Sequence, residues 1–143
     1  MKKRRFYAFL SAASLSLGGV IYILFRPATY IAKAFIKVFP FISEINEMLV
    51  LSNCTFLKYY FPDYLWAFSL FCCFNAVSKS TKTMMYRACA VFLLGSLWEM
   101  LQYFHIISGT GDLIDVFMYI TAVLSVVLLD DIYGRIISSE KIN

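Results

Sequence analysis

Charged residues are scarce in this 143-residue chain: Asp, Glu, Lys and Arg make up 15% of it, whereas 61% of the residues are hydrophobic and 18% are aromatic. A soluble domain of this size needs far more polar residues to cover its surface. The composition therefore excludes an ordinary soluble domain and predicts an integral membrane protein. Because internal repeats, low-complexity tracts and interdomain linkers are also lacking, we expect one domain over residues 1–143.

The sequence also lacks the usual signatures of an enzyme or a metal site. It has one histidine, four cysteines without metal-ligand spacing, no HExxH motif and no Ser/His/Asp order. We therefore predict no metal site, and the sequence identifies no cofactor. A basic cluster at residues 2–5 is not continued by further basic surface. This pattern favours anionic lipid as its neighbour and excludes nucleic acid as a partner.

Four apolar segments are candidates for transmembrane helices. They cover about residues 6–25, 63–79, 86–107 and 112–129. The second segment is short for a bilayer, and we expect it to span because Lys79 can extend toward the interface. Between the first two, an amphipathic segment at about residues 28–51 is broken by Pro40 and predicts two short interfacial helices that cover the bundle or form a lid. The predicted fold class is all-α: an integral membrane bundle of four transmembrane helices with an interfacial amphipathic segment between helices 1 and 2.

Lysine and arginine are unequally distributed between the two sides of such a bundle. With the N-terminus in the cytoplasm, the cytoplasmic segments hold nine of these residues and the outer segments hold four. This asymmetry predicts a multi-pass protein of the bacterial cell membrane with both termini in the cytoplasm. Asp63, Asp112 and Asp115 would then lie toward the outer face.

Polar side chains interrupt the third apolar segment near its outer end. A charged side chain at the bilayer centre costs at least about 2.5–3.5 kcal/mol, so a carboxylate such as Glu99 needs a structural or functional reason. Glu99 and Gln102 are three residues apart and share a helix face, whereas His105 is turned away from Glu99 by about 120° and lies nearer the boundary. We expect Glu99 and Gln102 to point into the bundle.

Further polar residues stand at the starts of neighbouring segments. Asp63 and Asp112 each precede an apolar segment, as helix N-caps do, and Asp115 lies in a first helical turn. Arg26, at the outer end of the first segment, is the expected cation. The short turn at residues 109–111 makes the third and fourth helices antiparallel neighbours, so Asp115 can approach Glu99. The predicted functional polar cluster is Glu99, Gln102, Asp112, Asp115, His105, Arg26 and Asp63.

The order of these residues resembles a known family. W-E-x-x-Q at residues 98–102, followed by G-T-x-D-x-x-D-V at residues 109–116, is similar to the motifs of the VanZ-like family of small bacterial membrane proteins. F-P-D-x-L-W at residues 61–66 is similar to the start of the second helix in related proteins. Tyr119 and Ala122 stand where the family commonly has Asn and Gly, and an arginine common in its turn is absent. The resemblance covers the second half of the chain and implies a role in low-level resistance to the glycopeptide teicoplanin.

Two classes of function follow, with a third alternative. The resemblance implies a non-enzymatic envelope protein that binds or screens a cell-wall precursor or lipid-linked component at the outer face, and we favour this interpretation. A membrane-embedded enzyme could instead act on a lipid headgroup, because three carboxylates suit a hard divalent cation. A small proton-coupled transporter could use Glu99 as its carrier, and four helices would then need to oligomerise. The lipid bilayer and a second copy of the chain are the other expected partners.

Overall fold

The computed structural model describes residues 2–26, 30–50, 55–78, 83–107 and 111–140, and these residues form helices and no strands. The all-α class is therefore confirmed. The described helices, in chain order, are α1 (Lys2–Phe25), α2 (Tyr30–Val38), α3 (Phe41–Val50), α4 (Thr55–Tyr59), α5 (Phe61–Val77), α6 (Met84–Tyr103) and α7 (Leu113–Glu140).

Three of the described helices are long and apolar enough to cross a membrane. They are Lys3–Phe25 in α1, Met84–Tyr103 in α6 and Leu113–Ile136 in α7. The chain is therefore a multi-pass membrane protein. A fourth span at 63–79 is not confirmed, because the corresponding helix, α5, has 17 residues and a spanning helix needs about 20.

The observed helix ends differ from the predicted ones at two places. The predicted third span of about 86–107 extends beyond the end of α6, because α6 stops at Tyr103 and a closing turn follows. Helix α7 also continues beyond the predicted fourth span of about 112–129 and ends at Glu140. It passes through the acidic pair that suggested an end: Asp130 binds Lys3 at 2.8 Å, and Asp131 binds Arg135 one turn further along at 2.6 Å.

Contacts at the start of α1 set the direction of two neighbouring helices. Arg4 Nε donates a 2.7 Å hydrogen bond to the carbonyl of Ala76, at the end of α5. Lys3 and Tyr7 both bind Asp130 Oδ1, in the C-terminal half of α7, at 2.8 and 2.5 Å. Both α5 and α7 therefore run antiparallel to α1.

The direction of α6, the remaining long helix, follows from its contact with α7. Glu99, near the end of α6, accepts a hydrogen bond from the backbone of Asp112, just before α7 begins. Thus α6 is antiparallel to α7 and parallel to α1. The four helices alternate in direction, and α5 packs most extensively against α1.

The core lies where α1, α5, α6 and α7 meet. Its largest fully buried side chains are Tyr7, Phe71, Val91, Val126 and Cys72. Many large apolar side chains on α6 and α7 instead face outward, which suits contact with lipid in a membrane protein.

Small residues bring α1 and α5 close together. Ser11 and Ser69 donate reciprocally to each other's backbone carbonyls, each at 2.9 Å. About two turns further along α1, a Cβ on Gly18 would lie 3.4 Å from the Cβ of Leu65, so the two helices are already in contact there. Close backbone approach of this kind, with hydroxyl hydrogen bonds, is typical of helix pairs in membranes.

The amphipathic segment forms two short helices, as predicted. Residue Pro40 separates α2 from α3, and Ser43 N donates to its carbonyl at 3.0 Å as the second helix begins. Ala32 and Asn46 are buried, while the charged side chains at Lys33, Lys37, Glu44 and Glu47 are exposed. The interfacial position of this pair stays a prediction.

Candidate functional site

Among the carboxyl groups that the described membrane-spanning helices carry, the one of Glu99 is buried. Its side chain is 6% exposed, and both oxygens accept hydrogen bonds. The Tyr119 hydroxyl donates to Oε1 at 2.7 Å, and the backbone N–H of Asp112 donates to Oε2 at 3.2 Å. Hydrogen bonds to a carboxylate are stronger than those between neutral groups. Glu99 therefore joins α6 to the start of α7 and to its second turn, and its structural role is explicit.

Gly95 explains how Tyr119 reaches Glu99. Gly95 lies one turn before Glu99 on the same face of α6, and a Cβ there would stand only 2.5 Å from Cδ2 of the Tyr119 ring. The ring consequently rests on the α6 backbone, and Tyr119 is 5% exposed. A phenol suits this position, because its ring packs and its hydroxyl bonds the carboxylate.

Gly111 performs a similar task in the turn before α7. A Cβ at this position would lie 2.6 Å from both the carbonyl oxygen of Glu99 and the backbone nitrogen of Tyr103. Only glycine permits this approach of the turn to the α6 backbone. The approach brings the N–H of Asp112 within reach of the Glu99 carboxylate.

Asp112 acts as the N-cap of α7. Its Oδ1 accepts a 3.0 Å hydrogen bond from the N–H of Ile114, the second residue of the helix. The capping interpretation of this residue is therefore confirmed. Its side chain serves the helix and its backbone serves Glu99, so Asp112 has a complete structural role.

Asp115 differs from Glu99 and Asp112 because its carboxyl group can still accept a hydrogen bond. Its Oδ1 is buried and has no hydrogen-bond partner in the described part of the chain. The charge of Asp115 interacts with those of Asp63 and Glu99, which places three carboxyl groups from α5, α6 and α7 near one another. Buried acceptors without donors are rare in folded proteins, so this oxygen is free to accept a hydrogen bond from water or from a bound molecule.

Arg26 supplies the positive charge that faces this acidic centre, defined here as Asp63, Glu99 and Asp115. Its charge interacts with those of Asp63 and Asp115. Its guanidinium lies 5.2 Å from the ring centroid of Tyr22 and 6.0 Å from that of Tyr59. The expectation that Arg26 would be the nearby cation agrees with this placement.

His105 lies at the end of α6 and has a structural explanation. Its φ is 57°, its N–H donates to the carbonyl of Gln102 at 2.9 Å, and Ile106 N donates to the carbonyl of Leu101 at 2.9 Å. This pair of bonds is the Schellman ending, with His105 in the left-handed position usually taken by glycine. The imidazole is exposed, and its Nδ1 lies 3.2 Å from the same Gln102 carbonyl. These contacts tie His105 and the Gln102 backbone to the helix end.

Sequence reasoning placed Glu99 on an inward face, in agreement with its burial, and missed its main partner. Asp115 or Gln102 was the expected neighbour of Glu99, whereas Tyr119 makes the shortest contact with it. Tyr119 was noted only as a departure from the family pattern. The available signal was the spacing of Gly95 and Glu99 on one face of α6, which leaves room for a large ring beside a carboxylate.

The arrangement can accept hydrogen bonds and balance a positive charge. Within the described ranges, no set of three or more His, Cys, Asp or Glu side chains is positioned to hold a metal ion. Cys72, Cys73 and Cys89 are free thiols, and Cys54 lies outside the described residues. Comparison of the chain with protein-family models, with curated proteins and with solved structures found no match, so the site stands on its own geometry.

Proposed function

We propose that this chain is a VanZ-like, four-span protein of the bacterial cell membrane, with both termini in the cytoplasm, that binds a cell-wall or lipid-linked component at its outer face. Binding or screening of that component would give glycopeptide tolerance. The observation that carries the proposal is the buried Asp115 oxygen, which has no donor among the described residues and lies at the end of the bundle where Asp63 and Arg26 also lie.

Helix direction supports the four-span topology. Because α1 and α6 run in the same direction, a chain that crosses the bilayer in both must return between them. The antiparallel α5 packs along α1 and is the segment available for that return. Its 17 residues cover about 25 Å, and local thinning of a hydrocarbon core of about 30 Å would accommodate it.

The charge of the acidic centre indicates the chemistry of the ligand. The charge of Arg26 interacts with those of Asp63 and Asp115, and Glu99 adds a third carboxyl group, so the centre favours ammonium groups and hydroxyl donors. Since the two oxygens of Glu99 already have donors, Asp115 and Asp63 are the groups we assign to binding. A lipid-linked cell-wall precursor carries such donors on its sugar and peptide parts.

Cysteine labelling in intact cells tests the topology. In a background with the four native cysteines replaced, Ile106→Cys lies at the exposed end of α6, and Ser139→Cys lies near the other end of α7. We expect an impermeant thiol reagent to label position 106 from outside and position 139 only after permeabilisation. The opposite pattern would overturn the orientation, and labelling of both from outside would overturn the even number of spans.

Teicoplanin susceptibility of a bacterial host that expresses the chain tests the function. Wild type should raise the inhibitory concentration, Asp115→Asn should abolish the increase, and Glu47→Gln should retain it as the matched exposed carboxylate. Expression of each variant is checked by immunoblot of membranes. No increase with wild type would refute the function, whereas an increase that survives Asp115→Asn would refute the assigned site.

The enzymatic and transport alternatives have no specific observation in their favour. Glu99, the carrier that proton-coupled transport would use, has a donor on each oxygen. We therefore retain the binding function alone.

A further inference from the structure

The start of α1 and the end of α5 enclose a shallow open groove at the opposite end of the bundle from the acidic centre. It is lined by Arg4, Arg5, Ala8 and Ala76. Arg4 is held there by hydrogen bonds from Nε to the Ala76 carbonyl at 2.7 Å and from one terminal nitrogen to the Val77 carbonyl at 3.4 Å. These bonds satisfy carbonyls at the C-terminus of α5 and fix the guanidinium at the groove.

The two arginines provide positive charge that no described carboxylate balances. The two acidic side chains that the structure describes at this end are already engaged, because Asp130 binds Lys3 at 2.8 Å and Asp131 binds Arg135 at 2.6 Å. In the described part of the chain, neither Arg4 nor Arg5 forms an ion pair with a carboxylate. The groove therefore presents two guanidinium groups to a negatively charged ligand.

The rest of the groove is apolar. Ala8 and Ala76 form its lining below the arginines, and the exposed residues one turn further along the helices, Ala12 and Cys73, are also small. Guanidinium groups above a strip of small apolar residues match the shape of a phospholipid, whose phosphate lies at the interface and whose acyl chain enters the hydrocarbon.

We propose that this groove is a binding site for an anionic phospholipid, with its phosphate at Arg4 and Arg5 and one acyl chain along Ala8 and Ala76. The site is separate from the acidic centre and does not depend on the function proposed for it. It would fix the α1–α5 pair against the negatively charged leaflet, where each basic residue strengthens attraction.

Thermal unfolding of the full chain in a neutral detergent, followed by circular dichroism, tests the proposal. We expect phosphatidylglycerol to raise the midpoint saturably, because a ligand of the folded state stabilises it by mass action. Phosphatidylcholine and inorganic phosphate, added separately, should have little effect. An equal shift with phosphatidylcholine, or the same shift with phosphate alone, would overturn the assignment to an anionic lipid.

Three variants locate the site. Arg5→Gln should weaken the apparent affinity for phosphatidylglycerol about five-fold, the effect of one basic residue near an anionic surface. Ala8→Leu keeps every charge and fills the groove at an exposed position, and it should weaken binding comparably. Arg135→Gln removes a charge at the same end, outside the groove, and should leave the affinity within two-fold. Equal weakening by Arg5→Gln and Arg135→Gln, or wild-type affinity in both groove variants, would refute a defined site.

Discussion

The variant Tyr119→Phe removes one oxygen from the contact between α6 and α7. The ring and its packing on Gly95 remain, whereas Glu99 Oε1 loses the O–H donor that lies 2.7 Å away. Because Glu99 is 6% exposed, its carboxylate stays buried in the variant. The carboxylate then keeps only the hydrogen bond from the Asp112 backbone. The variant therefore isolates the contribution of one hydrogen bond to the stability of the bundle.

Two sets of values bracket the expected loss. A hydrogen bond to a charged group contributes about 1.5–3 kcal/mol in soluble proteins. Hydrogen bonds between membrane helices average about 0.6 kcal/mol, with a maximum near 1.7. Because Glu99 and Tyr119 are both buried and one is a carboxyl group, we expect a loss of about 1.5 kcal/mol, or roughly ten-fold in the unfolding equilibrium constant.

Unfolding in mixed micelles with increasing sodium dodecyl sulfate measures this loss, and a double-mutant cycle with Glu99→Gln separates the pair from its surroundings. The Gln amide can donate to the Tyr119 oxygen and accept from the Asp112 N–H, so Glu99→Gln alone should cost less than about 1 kcal/mol. In that background, Tyr119→Phe should cost less than it does in wild type, with a coupling energy of about 1 kcal/mol.

Tyr86→Phe is the matched control, because Tyr86 lies on α6, the helix that carries Glu99, and is 76% exposed. Its stability should equal that of wild type. A coupling energy near zero between positions 99 and 119, or equal losses from Tyr86→Phe and Tyr119→Phe, would show that the buried hydrogen bond does not stabilise the bundle.

Three further stability changes follow from the same region and can be measured in the same micelles. Gly95→Ala should cost about 1–3 kcal/mol, because its Cβ would stand 2.5 Å from the Tyr119 ring, whereas Gly19→Ala, with nothing within 4 Å, should be neutral or stabilising. Asp112→Ala should cost about 1 kcal/mol through loss of the N-cap, and Asp112→Asn should restore most of it. His105→Gly should stabilise by up to about 1 kcal/mol, because glycine adopts a φ of 57° without strain.

Specific results would contradict each of these expectations. Equal effects of Gly95→Ala and Gly19→Ala would mean that the ring does not rest on α6. An Asp112→Asn variant as unstable as Asp112→Ala would assign the effect to the lost charge rather than to the cap. A destabilised His105→Gly variant would show that the imidazole contributes more than the backbone conformation costs.

Local chemistry made much of the fold predictable from sequence. Composition determined the helical membrane class, and Pro40 determined the break between α2 and α3, since proline cannot continue the first helix. Asp112 after Gly111 indicated an N-cap, because both the cap and the turn depend on a few adjacent residues. The end of α6 was harder to predict from the sequence, because His105 takes the left-handed position that glycine usually occupies.

Tertiary packing decided the partners of the charged side chains. The sequence placed Glu99 on an inward face, yet the rotation of α7 against α6 determined that Tyr119, rather than Gln102 or Asp115, would reach it. Likewise, the sequence suggested that a helix ends at Asp130. In the structure Asp130 binds Lys3, which is far away in the chain, and α7 continues. Helix periodicity gives the face on which a residue lies, but the crossing and depth of two helices depend on every side chain between them, so only the packed bundle determines which groups meet.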